Sequence, residues 1–392
     1  MISGVSPVAV GTGRLPLDSA QLGLVGLALL VVVALLTLVA RPKGRQPIPS
    51  ARRDAALGRR EADEDYRHVP GELDSRGPRA VVVVQPVKFP PGSAARRAVE
   101  QVVSEHGWPA PRWLETSEDD PGQGQARRAA QLDPEVVLVL GGDGTVRAVA
   151  EGLAGTGVPM GLVPGGTGNL FARQLKFDLN DPAAATRAAL TGRDKRVDVG
   201  RVSLDGGEEQ VFLVMAGVGF DAQMMAGAPA AIKDRVGPLA YVVSGLRRLK
   251  GESLRVSLSV DGEPPVTNRV RMAVVGNCGT LIGGIVLIPD AEVDDGHLDV
   301  LTLSPRGLVD WLRVGVRLVT RHRAKDEQIS ERQVKEVVMR CEQPEAAQMD
   351  GDVVGEFTEL RMRVDPGALV IRTPEGRVPR RAERLADALR RG

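Results

Sequence analysis

Cysteine is nearly absent from this chain: two residues, Cys278 and Cys341, among 392. That is too few for a disulfide framework or a cysteine-rich zinc site. The four histidines, His68, His106, His297 and His322, show no ligand-like spacing, which argues against zinc catalysis. Aromatic residues make up 3% and the formal net charge is +1. A dedicated nucleic-acid binder needs a basic footprint and rings on which bases stack, so no nucleic-acid partner is expected. Two common nucleotide signatures are also missing. Without GxxxxGK[ST] there is no P-loop, and without GxGxxG after a first strand a dinucleotide oxidoreductase is disfavoured. Hydrophobic residues at 43% and charged residues at 26% otherwise describe an ordinary globular protein of two or three units.

One segment departs from that average. Leu22 to Ala40 reads LGLVGLALLVVVALLTLVA, 19 residues without a charge. As a helix it spans roughly 28 Å, close to the hydrocarbon thickness of a bilayer. A cleaved secretory signal is the alternative, but only Arg14 and Asp18 precede the run, so a basic leading region is missing. Residues 41–60 carry seven basic side chains against the single acid Asp54. The flanks therefore predict a short extracytoplasmic stretch over 1–21, one transmembrane helix over 22–40, and a catalytic part in the cytoplasm. The basic cluster would lie against anionic head groups of the lipid bilayer. The expected location is the cell membrane, single-pass.

Residues 41–78, rich in Arg, Pro, Asp and Glu, read as a linker. Order begins with Val81–Val84, a β-branched run typical of a buried parallel strand. Helical stretches over Ser93–His106 and Gly122–Leu132, a second buried strand over Val136–Leu140, a helix from about Val146 to Leu153 and a strand over Pro159–Val163 follow. Alternating strands and helices predict an α/β domain with a parallel sheet over 79–193. Beyond it the pattern becomes a run of strands: Val197–Leu204, Gln210–Met215, Leu254–Val260, Arg269–Val275, Leu298–Leu303, Val334–Cys341 and Glu359–Val364. Helices are expected near Leu239–Leu249 and Leu308–Val319. This β-rich domain occupies 194–375, and a basic helix follows over 376–392.

Two successive strand ends open into glycine-rich turns, Gly141-Gly142-Asp143-Gly144-Thr145 and Pro164-Gly165-Gly166-Thr167-Gly168-Asn169. In a parallel sheet such turns lie side by side at the carboxyl edge, where ligands bind. Glycine lets backbone N–H groups approach a phosphate, and the helix starts behind the turns add unpaired donors. Thr145, Thr167 and Asn169 suit phosphate or ribose oxygens. A carboxylate at Asp143 would repel a triphosphate unless a cation lay between, so Mg²⁺ is expected with the nucleotide.

GGDGTVRAVAEGL at 141–153 and PGGTGNLFAR at 164–173 are followed by AGVGFDA at 216–222, PDAEVDDGHLDV at 289–300 and MDGDVVG at 349–355. This series resembles the diacylglycerol kinase catalytic domain family, which includes bacterial lipid kinases and sphingosine kinases. The resemblance implies an α/β nucleotide-binding domain and a β-sandwich domain with the active site in the cleft between them. It implies that Gln85, Pro86, Val87, Lys88 and Phe89, in place of the family's Asn-Pro-x-Ser-Gly, help hold ATP, together with Thr116. It also matches Gly142 through Ala148, including Val146 and Arg147, to the phosphate loop, and Thr167 to the threonine of the second turn. Asp295 matches a residue holding Mg²⁺ with the main-chain oxygens of Glu292 and His297. Asp350-Gly351-Asp352 matches Asp-Gly-Glu, whose third position, Asp352, is the proton acceptor, with Asp350 able to share or take the role. The function implied is an ATP- and Mg²⁺-dependent lipid kinase that converts diacylglycerol to phosphatidic acid. A sphingosine- or ceramide-type kinase, a membrane-tethered binding protein without turnover, and a kinase for a soluble metabolite are the alternatives. A homodimer is left open.

Overall fold

The computed structural model describes residues 79–219, 253–280, 286–305, 310, 314 and 329–374. All fall within one compact unit, Pro70–Gly392. The span expected over 22–40, the linker, the 376–392 helix, the 239–249 helix and nearly all of 308–319 lie outside the described residues. Among the described residues no helix is long and apolar enough to cross a membrane.

The first half alternates β1 (Ala80–Val84), α1 (Ala94–Glu105), β2 (Arg112–Glu115), α2 (Gln123–Ala130), β3 (Val136–Gly141), α3 (Asp143–Leu153), β4 (Met160–Pro164), α4 (Leu170–Gln174) and α5 (Pro182–Thr191). The strands pair in parallel in the order β2-β1-β3-β4. β1 and β3 are buried along their whole length because helices cover both faces. Val81, Val83, Val137 and Val139 face a core shared with Ala126 of α2 and Val149 and Leu153 of α3. Val82, Val84, Leu138 and Leu140 face Val99, Val102 and Val103 of α1 and Ala189 of α5. Each such valine or leucine contributes about 1.5–3 kcal/mol by leaving water.

From β1 the chain moves to one neighbour, β2, and then to the opposite one, β3. That reversal makes a topological switch point, with its crevice at the carboxyl ends of β1 and β3.

The second half contains β5 (Arg193–Leu204), β6 (Gln210–Phe212), β7 (Met215–Val218), β8 (Leu254–Val260), β9 (Val266–Val270), β10 (Met272–Gly276), β11 (Leu298–Leu303), β12 (Ile329–Val334), β13 (Glu336–Met349) and β14 (Asp352–Thr373). It forms the C-terminal β-sandwich-like domain, with its own core around Phe212, Phe357, Val337, Met339 and Leu360. The two halves are not separate sheets. β14 pairs antiparallel with β5 and β13 and touches β4 in parallel at Ile371 and Met160, giving one continuous 14-stranded sheet.

Some expected strands divide. Gln210–Met215 breaks at Leu213 and Val214, whose amides turn to the Asp350 carboxylate. Val334–Cys341 breaks at Lys335, where Asp261 accepts the Lys335 and Glu336 amides. The helix expected from Val146 starts at Asp143, so Asp-Gly-Thr of the first glycine turn is already its first turn.

Candidate active site

β3 and β4 end level with each other, Gly141 opposite Pro164, so both glycine turns leave the sheet at one edge. The Gly165 amide donates to the Gly141 carbonyl at 2.9 Å. A Cβ on Gly166 would lie 2.9 Å from the Gly142 Cα, so the turns touch backbone to backbone and a side chain at 166 would have to push them apart. α3 starts without a side-chain cap at Gly142, which leaves its first amides open to an anion.

The loop after β1 forms the flank. The Phe89 amide donates to the Gln85 carbonyl at 3.0 Å, and the Phe89 ring covers the space where Gly165 would carry a side chain. Val87 and Lys88 are exposed, and Gln85 and Pro86 are half-buried. Thr116 is buried, and its amide donates to the Val84 carbonyl at 2.9 Å.

One residue that sequence reasoning missed fixes this loop. Arg96, buried in α1, donates from Nε to the Phe89 carbonyl at 2.8 Å and from Nη2 to Glu115 at 2.6 Å, while lying 4.9 Å over Trp113. Its spacing with Val99 and Val103 on the buried face was the available signal.

Several sequence-predicted ligands hold the turns rather than offer themselves. Both oxygens of Asp143 accept amides at the start of α4, from Asn169 at 2.8 Å and Leu170 at 2.7 Å. Burial raises its carboxyl above the ordinary range, those amides pull it back, and the charge of Asp352 adds to the rise. Asp143 thus ties one turn to the other. Asn169, at φ +48°, accepts the Gly166 amide and donates to the Gly166 carbonyl, both at 2.8 Å, so its side chain is not turned to a phosphate. The side chains of Val146 and Ala148 are buried, so these positions could meet a phosphate only through their backbone. Thr145 packs on Gly141, Thr167 is exposed, and the Gly168 carbonyl accepts Arg173 Nε at 2.7 Å.

The two aspartates of the β13–β14 corner have opposite surroundings. Asp350, 5% exposed and at φ +51°, accepts the amides of Leu213, Val214 and Met215 at 2.9, 2.8 and 3.1 Å. Burial pushes its carboxyl up, partly offset by the charge of Arg147 and by those amides. It is held as a structural clamp, its carboxylate turned to three backbone amides. Asp352 is exposed. Its Oδ2 lies 3.4 Å from Arg147 Nη2 and 3.6 Å from where a Gly144 side chain would start. The carboxylate therefore stands over the open first turn of α3. Arg147 Nη1 also donates to the Met349 carbonyl at 2.7 Å.

The second acidic turn is closed by its own groups. Asp295 accepts the His297 amide at 3.0 Å and Gln333 Nε2 at 2.9 Å, and His297 Nδ1 lies 2.8 Å from the Asp295 carbonyl. Asp294 pairs with Lys195 at 3.1 Å. Among the described residues no three His, Cys, Asp or Glu side chains gather where they could hold a metal ion. The expected Mg²⁺ site needs one side chain, Asp295, with the main-chain oxygens of Glu292 and His297, and that carboxylate already accepts the His297 amide and Gln333 Nε2. A hydrogen-bonded path links this turn to the β13–β14 corner: Asp198 accepts the Gly296 amide, Asn277 donates to the carbonyls of Asp198 and Leu213, and the Leu213 amide reaches Asp350.

The family described as Diacylglycerol kinase catalytic domain matches residues 79–202. That described as YegS C-terminal NAD kinase beta sandwich-like domain matches 214–373. A diacylglycerol kinase from Mycobacterium tuberculosis is 29% identical over 215 residues, 53% of this chain and 67% of its own length. One from Bacillus subtilis is 28% identical over 244 residues, 60% of this chain and 78% of its own. A Pseudomonas putida protein named "Probable lipid kinase YegS-like" is 34% identical over 247 residues, 61% of this chain and 77% of its own. A crystal structure of a Bacillus anthracis diacylglycerol kinase shares the fold, with a TM-score of 0.58 and 21% identity over 77% of this chain and 99% of that one.

Proposed function

Because this chain belongs to the diacylglycerol kinase catalytic domain family and is a diacylglycerol kinase-like lipid kinase, we propose that it transfers the γ-phosphoryl group of Mg²⁺-ATP to the hydroxyl of diacylglycerol. The observation that carries this reading is the exposed Asp352 carboxylate over Gly144, at the open amide end of α3. The phosphates lie against the uncapped first amides of α3, with the second glycine turn, the 85–89 loop and Thr116 alongside. The cation comes with the nucleotide as part of the substrate and neutralises phosphate charge there.

As the lipid oxygen forms its bond to the γ-phosphorus, its proton passes to Asp352. The bond from that phosphorus to the β–γ bridging oxygen breaks, and ADP leaves with the electron pair. Positioning and charge neutralisation supply most of the acceleration. Val353, beside Asp352 and 57% exposed, offers an apolar contact where an acyl chain would enter.

The run at 22–40 is read as a single membrane span with the catalytic part cytoplasmic, which confines the enzyme to the plane of its substrate. The test is incubation of the purified full chain with labelled ATP, Mg²⁺ and mixed micelles of diacylglycerol, sphingosine, ceramide or no lipid. Label in phosphatidic acid is the expected result. Label only in a sphingoid product would move the acceptor, and ADP release indifferent to every lipid would end the reading.

A further inference from the structure

Arg147 sits one turn into α3, three residues after Gly144. A helical side chain leans back over the turn on its N-terminal side, which carries that of Arg147 toward the β13–β14 corner. From there one guanidinium reaches two points of the opposite hairpin. Nη1 donates to the Met349 carbonyl at 2.7 Å and Nη2 lies 3.4 Å from Asp352 Oδ2. These contacts bracket the corner at Asp350 and Gly351, both in the left-handed region at φ +51° and +99°. Among the described residues Arg147 is the only cation in ion-pair contact with Asp352. It is 17% exposed, whereas Asp352 is 56% exposed, so the planar fork is the fixed partner and the carboxylate the movable one.

A force opposes this arrangement. Asp143, on the same turn, is close enough to Asp352 that the charge of Asp352 raises the Asp143 carboxyl. A pair this exposed adds little to stability, so its use lies in geometry.

We propose that Arg147 is the positioning residue for Asp352, anchored on the Met349 carbonyl and holding the carboxylate over the first turn of α3 in line with the transferring phosphoryl group. This rests on the kinase reading above and reassigns Arg147 from phosphate binding to alignment of the proton acceptor. Lysine can pair with Asp352 as a point charge but cannot also fork onto Met349.

The experiment compares Arg147→Met, Arg147→Lys and Arg147→Gln, each with Asp352 intact and with Asp352→Asn, by steady-state turnover of Mg²⁺-ATP and diacylglycerol micelles. Arg147→Met should lower kcat about tenfold to a hundredfold while KM for ATP stays within about twofold, and Arg147→Lys should recover part of the loss. In the Asp352→Asn background the same change should cost less than about threefold, because the group being positioned is already gone. An Arg147→Met variant with raised KM for ATP and unchanged kcat would return the residue to the phosphates. Equal losses in both backgrounds would make its role independent of Asp352. Amide exchange at residues 349–353 needs no turnover, and it should quicken in Arg147→Met and in Arg147→Gln. Unchanged exchange overturns the inference even with an inactive wild type, whereas wild-type inactivity beside quickened exchange overturns only the kinase reading.

Discussion

At the scale of single residues, two aspartates separated by one glycine do unrelated work. Asp350 is buried under three backbone amides, and Asp352 stands in solvent over a helix start. Asp352→Asn should therefore lower kcat by about 10²–10⁴ while ATP affinity, read by calorimetry, changes little. Its unfolding free energy by urea titration should stay within about 0.5 kcal/mol of wild type, as for other exposed substitutions. Asp350→Ala leaves three buried donors unpaired and should destabilise by about 3–5 kcal/mol in urea titration, with activity lost through unfolding. A folded Asp350→Ala protein of normal stability and reduced kcat would restore it to the chemistry. The DGD motif was legible in the sequence, but the division of labour within it was not. What distinguishes the two acids is a break between strands 136 positions away, where the Val214 amide turns to Asp350. Asp143 and Asn169 were likewise legible as turn residues, but their backbone partners could not be read from spacing.

Among the elements, α1 bears on the nucleotide through the loop it holds. Arg96→Met keeps the buried volume but removes the donors to Phe89 and Glu115. The expected outcome is a rise in KM for ATP of about tenfold with kcat nearly unchanged. A kcat loss at constant KM would show that the loop serves transfer rather than binding. Gly166→Ala forces the two turns apart and should cost about 1–3 kcal/mol of stability by thermal melt, together with weaker nucleotide binding. The elements of the first half were readable because continuous β-branched runs and helical periodicity both act locally. The second half was harder to read. β13 and β14 run for 14 and 22 residues, far past the short alternating stretches that mark them. Their outer positions face water, where charged side chains and Gly355 and Gly367 obscure the period of two.

For the whole molecule, the proposed anchor makes its own prediction. A chain lacking residues 1–40 should keep its melting temperature and its activity on a short-chain diacylglycerol, yet no longer sediment with vesicles. Full retention on neutral vesicles would dismiss the span. The order of the two blocks was visible from composition, but their fusion into one sheet was not. The parallel contact between β4 and β14 rests on Met160 and Ile371, which no local pattern connects.

That fusion has a consequence for synthesis. β5 finds its long antiparallel partner only in β14, and Thr373 closes on Arg193 across 180 positions. At translation rates of about 5–20 residues per second, the early half of a nascent chain waits on the order of ten seconds or more with that edge unpaired. During this interval it is a target for chaperones and for pairing with a neighbour on the same messenger.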